Sequence, residues 1–363
     1  MKTKLLQATY LFSVVAAGLT HEQRLIAQDP NASNTTTKDS VATHATSIRL
    51  TPIANIALTS SATHLAFSPN GARIAVGGDL YLAVYDTTTL KCVHTVDVPD
   101  GVSSVTFSHD NLTVYATIEG NCELRWWGLA PGVSDGVWRG DICSVFVAFA
   151  TGELLATGSD KIMLLNPSTG KQKTIVETDD QAYVGSPFID ADGSAITFKE
   201  NRDRGDQPHW IRRIDFTNKT MHERRSKIGA NRIPGLYPCG DRFVYCLNWE
   251  WVPGKNAITE AEVWGGPDFK RLRTIRIPDS DYIRTGVCVG GDLFCVGGQP
   301  AGDNPFKRGA TGFFAIVDVT TGAMLHREKT EIEVRRLSFS EKTKLLAALV
   351  GEHEIHIWKL HTN

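Results

Sequence analysis

A short apolar run closed by turn residues keeps returning along this chain, and that recurrence limits the fold more than any other feature. Leu65-Ala66-Phe67-Ser68-Pro69-Asn70-Gly71 comes back as Val105-Thr106-Phe107-Ser108-His109-Asp110-Asn111, and again as Val147-Ala148-Phe149-Ala150-Thr151-Gly152. Pro187-Phe188-Ile189-Asp190-Ala191-Asp192-Gly193 and Leu337-Ser338-Phe339-Ser340-Glu341-Lys342 are further copies, and two looser units are anchored near Pro238 and Val289. From Phe67 to Phe339 the steps between anchors are 40, 42, 40, 49, 51 and 50 residues. A second apolar run follows each turn, as in Arg73 to Val76, Thr113 to Thr117, Leu154 to Thr157 and Lys344 to Leu349. Each copy therefore reads as a β-hairpin.

A third run ends in a pair such as Tyr85-Asp86, Trp126-Trp127, Leu165-Asn166, Ile214-Asp215, Val263-Trp264, Val317-Asp318 or Ile357-Trp358. A turn rich in Thr, Gly, Asn or Pro comes next, then a fourth run, as in Lys91 to Val96 or Lys171 to Val176. Four strands per unit, repeated seven times at this period, predict an all-β chain: a seven-bladed β-propeller of four-stranded antiparallel blades over residues 48–363. The seventh unit supplies only three strands before Asn363, while a spare strand-like segment, Ile48 to Leu58, precedes the first. That N-terminal segment is expected to pair as the outer strand of the last blade, closing the ring and removing an exposed edge. Ala66-Phe67-Ser68-Pro69-Asn70-Gly71 resembles the strand-turn of WD40-repeat proteins, and Ile355 to Trp358 resembles their third strand. Tyr85-Asp86-Thr87-Thr88-Thr89 and Val317-Asp318-Val319-Thr320-Thr321-Gly322 are similar to the related YVTN-type propellers of secreted and surface proteins. The Gly-His pair of WD40 repeats is missing and no blade carries an intact Trp-Asp, so the resemblance implies the fold and leaves the function open.

The longer steps of the fourth, fifth and sixth units come from one connection, strand two to strand three. In a meander that connection shares a face with the links between blades. The segments are Glu200 to Pro208, Trp249 to Glu260 and Gly298 to Ala310, so three consecutive blades enlarge one face over one sector. Insertions in repeat proteins often build the binding face. Arg202, Arg204, His209, Trp210, Trp249, Trp251, Lys255, Phe306, Lys307 and Arg308 fall in or beside them, and aromatics mixed with Arg match the composition of interface hot spots. Packing of Trp249 and Trp251 down onto the blades is the structural alternative.

Lys2 and Lys4 lead into an apolar stretch, Leu5 to Thr20, interrupted by Gln7, Thr9 and Tyr10. It is too short and mixed for a membrane span, which needs roughly 20 apolar residues, and reads as a secretory signal peptide. Cleavage after Ala17 or Ala27 fits small-residue sites, and Ala27 fits better because a polar tail follows it. Residues 1–27 are then the signal and residues 28–47, rich in Asn, Thr, Ser and Ala, a disordered linker. The expected location is secreted or periplasmic. A net charge of -2 with no long basic run argues against nucleic acid as partner. Seven cysteines cannot all pair within one chain. A hairpin centred on Gly291-Asp292 would set Cys288 opposite Cys295, whereas a tight turn at Gly240-Asp241 would not set Cys239 opposite Cys246. Neither pair has the spacing of a zinc site.

Catalytic motifs fare poorly. Gly132-Val133-Ser134-Asp135-Gly136 matches a nucleophile elbow, but that mechanism needs a helix after the Ser and no helical pattern follows. Asp190-Ala191-Asp192-Gly193 starts like a calcium loop, yet the twelfth position is Asn201 rather than Glu. His353 and His356, three apart on a strand, point to opposite faces. The inner-strand positions Leu65, Val105, Val145, Ser186, Val287 and Leu337 are apolar or small and show no ring of acids or histidines. The expectation is a non-catalytic, cofactor-free monomeric scaffold that binds a protein, or a glycan, through the enlarged face. The alternative is a secreted hydrolase or lactonase with a metal in the central channel.

Overall fold

The computed structural model describes residues 47–178, 183–190, 193–201, 208–229, 235–247, 259–266, 269–277, 282–299 and 311–362. These residues form twenty-eight strands and no helix, arranged as seven antiparallel sheets of four. In six sheets the strands follow one another in chain order, each sheet being one blade. The first strands are Ala62–Phe67, Val102–Phe107, Ser144–Ala148, Tyr183–Ile189, Leu236–Cys239, Tyr282–Cys288 and Val334–Ser340. The seventh blade is completed from the other end of the chain. Ile48–Ala57 pairs antiparallel with Glu354–Thr362, from Ile48 opposite Thr362 to Ala57 opposite Glu354, with one bulge between Pro52 and Ala54. The expected ring closure is what the structure has.

Side-chain chemistry sets the turns. Between the first two strands of blade one, Ser68 Oγ accepts from Arg73 N at 3.0 Å and Asn70 Oδ1 from Ala72 N at 3.0 Å. Gly71 takes φ 71° there, a left-handed conformation that glycine adopts without steric cost. Blade two repeats the device with Ser108 Oγ on Thr113 N, and Asn111 takes the left-handed place at φ 67°. The acid closing the third strand caps the next turn. Asp86 accepts from Thr88 N and Thr89 N, Asp215 from Thr217 N and Asn218 N, and Asp318 from Thr320 N and Thr321 N. These bonds to the ionised form hold the Asp86 and Asp215 carboxyls below the usual range.

Seven apolar clusters match the seven blade interfaces. Ile74, Val76, Ala347, Leu349, Ile355 and Ile357 join blade one to blade seven, with Ile56 of the closing strand among them. Cys239, Val244, Val263, Phe294, Val296 and Phe313 fill the gap between blades five and six. Blades approach closely at their inner edges: a Cβ on Gly77 would stand 2.4 Å from Val102 Cγ1 of the next blade.

The Cys288–Cys295 expectation fails on register. Val289 N bonds Leu293 O and Leu293 N bonds Gly290 O, so the turn centres on Gly291 and the pairing is shifted by one residue from the expected one. Cys288 stands opposite Phe294, and Cys295 opposite Val287. A slip of one residue sends a side chain to the other face of the sheet. Cys288 therefore packs toward blade five and Cys295 into the core shared with blade seven.

Candidate functional site

First strands of adjacent blades share no ladder, so their backbone groups find side-chain partners across the gap. Val145 N donates to Ser104 Oγ at 2.9 Å, Leu337 N to Thr285 Oγ1 at 3.1 Å, and Phe67 N to Ser338 Oγ at 3.2 Å. These contacts place the first strands side by side around the axis. Several carry a bulge near their start, between Ala62 and His64, Val102 and Ser104, Ile283 and Thr285, and Val334 and Arg336. A bulge inserts an unpaired residue and re-aims its neighbours. The inserted residues are Thr63, Ser103, Arg284 and Arg335.

Here charge gathers at one mouth of the channel. Glu333, 3% exposed, takes Arg284 Nε at 2.9 Å on one oxygen and Arg335 Nε at 2.5 Å on the other. Arg335 Nη1 also reaches Glu352 at 2.7 Å, and Ser61 Oγ donates to the second oxygen of Glu352 at 3.2 Å. Arg284 Nη2 lies 3.4 Å from Gln299 Oε1. The network thus ties blades six, seven and one together, and both carboxylates are occupied by guanidinium groups.

Arg336 stands apart from it. Its Nε donates to Thr63 O of blade one at 3.0 Å, and among the described residues no carboxylate pairs with it. The side chain is exposed, yet its pKa is lowered, first by loss of surrounding water and then by the charges of Arg284 and Arg335, with Tyr237 acting the other way. Its bond to Thr63 and the charges that act on it from Tyr237, Arg284 and Arg335 set it among residues of blades one, five, six and seven. His64, half-buried on blade one, has its pKa lowered to about 3, mainly by burial and then by Arg336, so its imidazole is neutral at physiological pH. Burial likewise pushes the Tyr237 phenol up, while Thr285 and Gly286 hydrogen-bond to it.

This mouth lies where first strands begin and second strands end, the face that the connections from strand two to strand three also border. Of the sequence-derived site residues, Trp210 is described. It sits half-buried on the third strand of blade four, opposite Glu200 and Arg225 in the pairing. Arg202, Arg204, Trp249, Trp251, Lys255, Phe306, Lys307 and Arg308 lie outside the described residues. Beneath Trp210, Arg212 is buried between Glu200 at 2.8 Å and Glu223 at 2.7 Å, an ion triad across three strands of blade four.

Sequence reasoning missed Arg284, Arg335, Arg336, His64 and Glu333. It tested the channel with Leu65, Val105, Val145, Val287 and Leu337, all of which pack into the cores between blades. The available signal was the charge itself, Arg284 and Arg335-Arg336 interrupting strands that are otherwise apolar or small. The elbow-like Gly132 to Gly136 segment lies within blade two, between its third and outer strands. Asp135 Oδ1 there accepts from Gly128 N at 2.8 Å, a turn contact.

The fold and the ring of inner strands define the chain as a seven-bladed β-propeller of WD40-like form. The β-propeller domain of Cps50 (Swd1) from Myceliophteria thermophila is similar in structure, with TM-score 0.62 at 12% identity, covering 86% of this chain and 99% of that domain. At that identity the likeness is one of fold. No protein-family model matches the sequence. No curated protein matches it either.

Proposed function

We propose that the protein is an exported, non-catalytic scaffold, a monomer whose rigid ring offers its channel-mouth face to a protein partner. Residues 1–27 serve as the signal and 28–47 as the linker in this reading. The observation that carries it is the Arg336 guanidinium, which reaches across from blade seven to Thr63 of blade one. It pairs with no carboxylate among the described residues, and the charges of two further cations act on it. Such a group favours an incoming anion, and an acidic side chain or C-terminal carboxylate of a partner supplies one. By chain order the connections from strand two to strand three of blades four to six leave from this end of the strands, and in this reading Arg202, Arg204, Trp210, Trp249, Trp251, Lys255, Phe306, Lys307 and Arg308 supply the aromatic and cationic anchors. A metal hydrolase would need free carboxylates or imidazoles turned into the channel, whereas Glu333 and Glu352 are both bound to arginines.

The test is affinity capture from the exported fraction of the source, comparing wild type with Arg336→Glu and with the double variant Trp251→Ala/Arg308→Ala. One protein recovered in stoichiometric amount by wild type, and at least tenfold less by both variants, is expected. Equal recovery by all three forms, each verified as folded, would overturn the reading. Capture of a glycan with the same residue dependence would move the ligand class and keep the face.

A further inference from the structure

Cys239 ends the first strand of blade five and Cys288 ends the first strand of blade six. They lie 49 residues apart, one repeat, and adjacent repeats bring equivalent positions side by side in space. The Cys239 thiol donates to Cys288 Sγ at 3.1 Å, the sulfurs meeting at the edge of the apolar cluster shared by the two blades. The pairings suggested by spacing are closed to both residues. Cys246 lies at the far end of its strand from Cys239, beside Gly235, and Cys295 faces blade seven.

We propose that Cys239 and Cys288 form a disulfide that fastens blade five to blade six when the folded protein meets a disulfide oxidant such as glutathione disulfide. A disulfide bond is about 2.05 Å long, so the sulfurs have roughly 1 Å to close, within reach of side-chain rotation. Cys288 is the attacking residue. It is half-buried where Cys239 is fully buried, and the N–H groups of Gly290 and Gly240 point at its sulfur. The Cys239 thiol, first among the causes, and those amides hold the Cys288 thiol below its usual pKa, while the Cys239 thiol is raised. The Cys288 thiolate attacks one sulfur of the oxidant, forming a mixed disulfide and releasing one glutathione thiolate. Cys239 then loses its proton and attacks the Cys288 sulfur, which expels the second glutathione. Two protein thiols become one disulfide, and two electrons and two protons leave with the oxidant as two thiols. Cys246 and Cys295 take no part, since burial pushes both thiols up and both are enclosed.

The experiment equilibrates the folded full chain with oxidised or reduced glutathione, blocks free thiols by alkylation in denaturant, and maps the peptides by mass. The expected product of oxidation is a linked peptide joining Cys239 to Cys288, with the other five cysteines alkylated. Closing a loop of this length should also raise the melting temperature by about 6 °C, a gain that reductant reverses. In Cys288→Ser and Cys239→Ala the melting temperature should no longer respond to redox state. Full alkylation of both residues after oxidation, or a link to Cys295, would overturn the proposal. The wild-type peptide map decides the matter even if a variant fails to fold, and it is independent of partner capture.

Discussion

At the scale of single residues, His64 is the side chain whose chemistry departs furthest from its intrinsic preference among the residues facing Arg336. Its folded pKa of about 3 lies well below the ordinary imidazole value of about 6.5, because burial and the nearby guanidinium disfavour the charged ring. The unfolded chain therefore binds a proton that the folded chain refuses, and stability falls as pH drops below about 6.5. His64→Gln, neutral throughout, should flatten the dependence of the urea midpoint on pH between 7 and 4 relative to wild type. Parallel curves for the two proteins would show that His64 titrates normally. The carboxylates act in a lower window. Asp86 and Asp215 have depressed pKa values, so their contribution is present above about pH 4 and is lost as they protonate below it. Their role was half legible: the Asp that ends a third run was visible in the sequence, but its bonds to the next two or three amides were not.

At the scale of elements, the closing strand matters most. Ile48–Ala57 covers the edge that Glu354–Thr362 would otherwise present, and Ile56 enters the core between blades seven and one. A long uncovered edge templates further strand pairing. Ile56→Ala, at 7% exposure, should cost about 2–4 kcal/mol in denaturant unfolding, within the range of buried large-to-small changes. A chain starting after Ala57 should in addition associate in sedimentation. A monomeric truncated chain of unchanged stability would mean the ring does not depend on this strand. The segment was legible because a seventh unit of three strands leaves a vacancy that only a spare strand can fill. The bulges of the inner strands were not, since a bulge changes pairing without changing the alternation of apolar residues.

At the scale of the whole molecule, seven sheets share seven cores, and where the first strands of blades six, seven and one begin, charged side chains meet across blades. The carboxylates there are engaged by Arg284 and Arg335, which fasten blades six, seven and one together. The ring should accordingly hold without a bound metal. Chelator treatment of the purified protein should leave the melting temperature within about 1 °C, since ligand binding raises stability only by its own mass-action term. A loss of several degrees, together with stoichiometric metal by elemental analysis, would favour the hydrolase reading.

The sequence by itself determined the repeat, the four strands of each blade and the closure of the ring by its N-terminal strand. All of these follow from periodicity and turn chemistry, which are local and leave their mark in residue order. Only the tertiary structure decided which side chains meet. A one-residue register difference sent Cys288 and Cys295 to different cores. Cys239 meets Cys288 because two equivalent strand ends stand side by side in adjacent blades, and Arg336 reaches Thr63 because the first strands of blades seven and one do the same. Such contacts depend on the packing of blade against blade, and spacing along the chain carries no record of it.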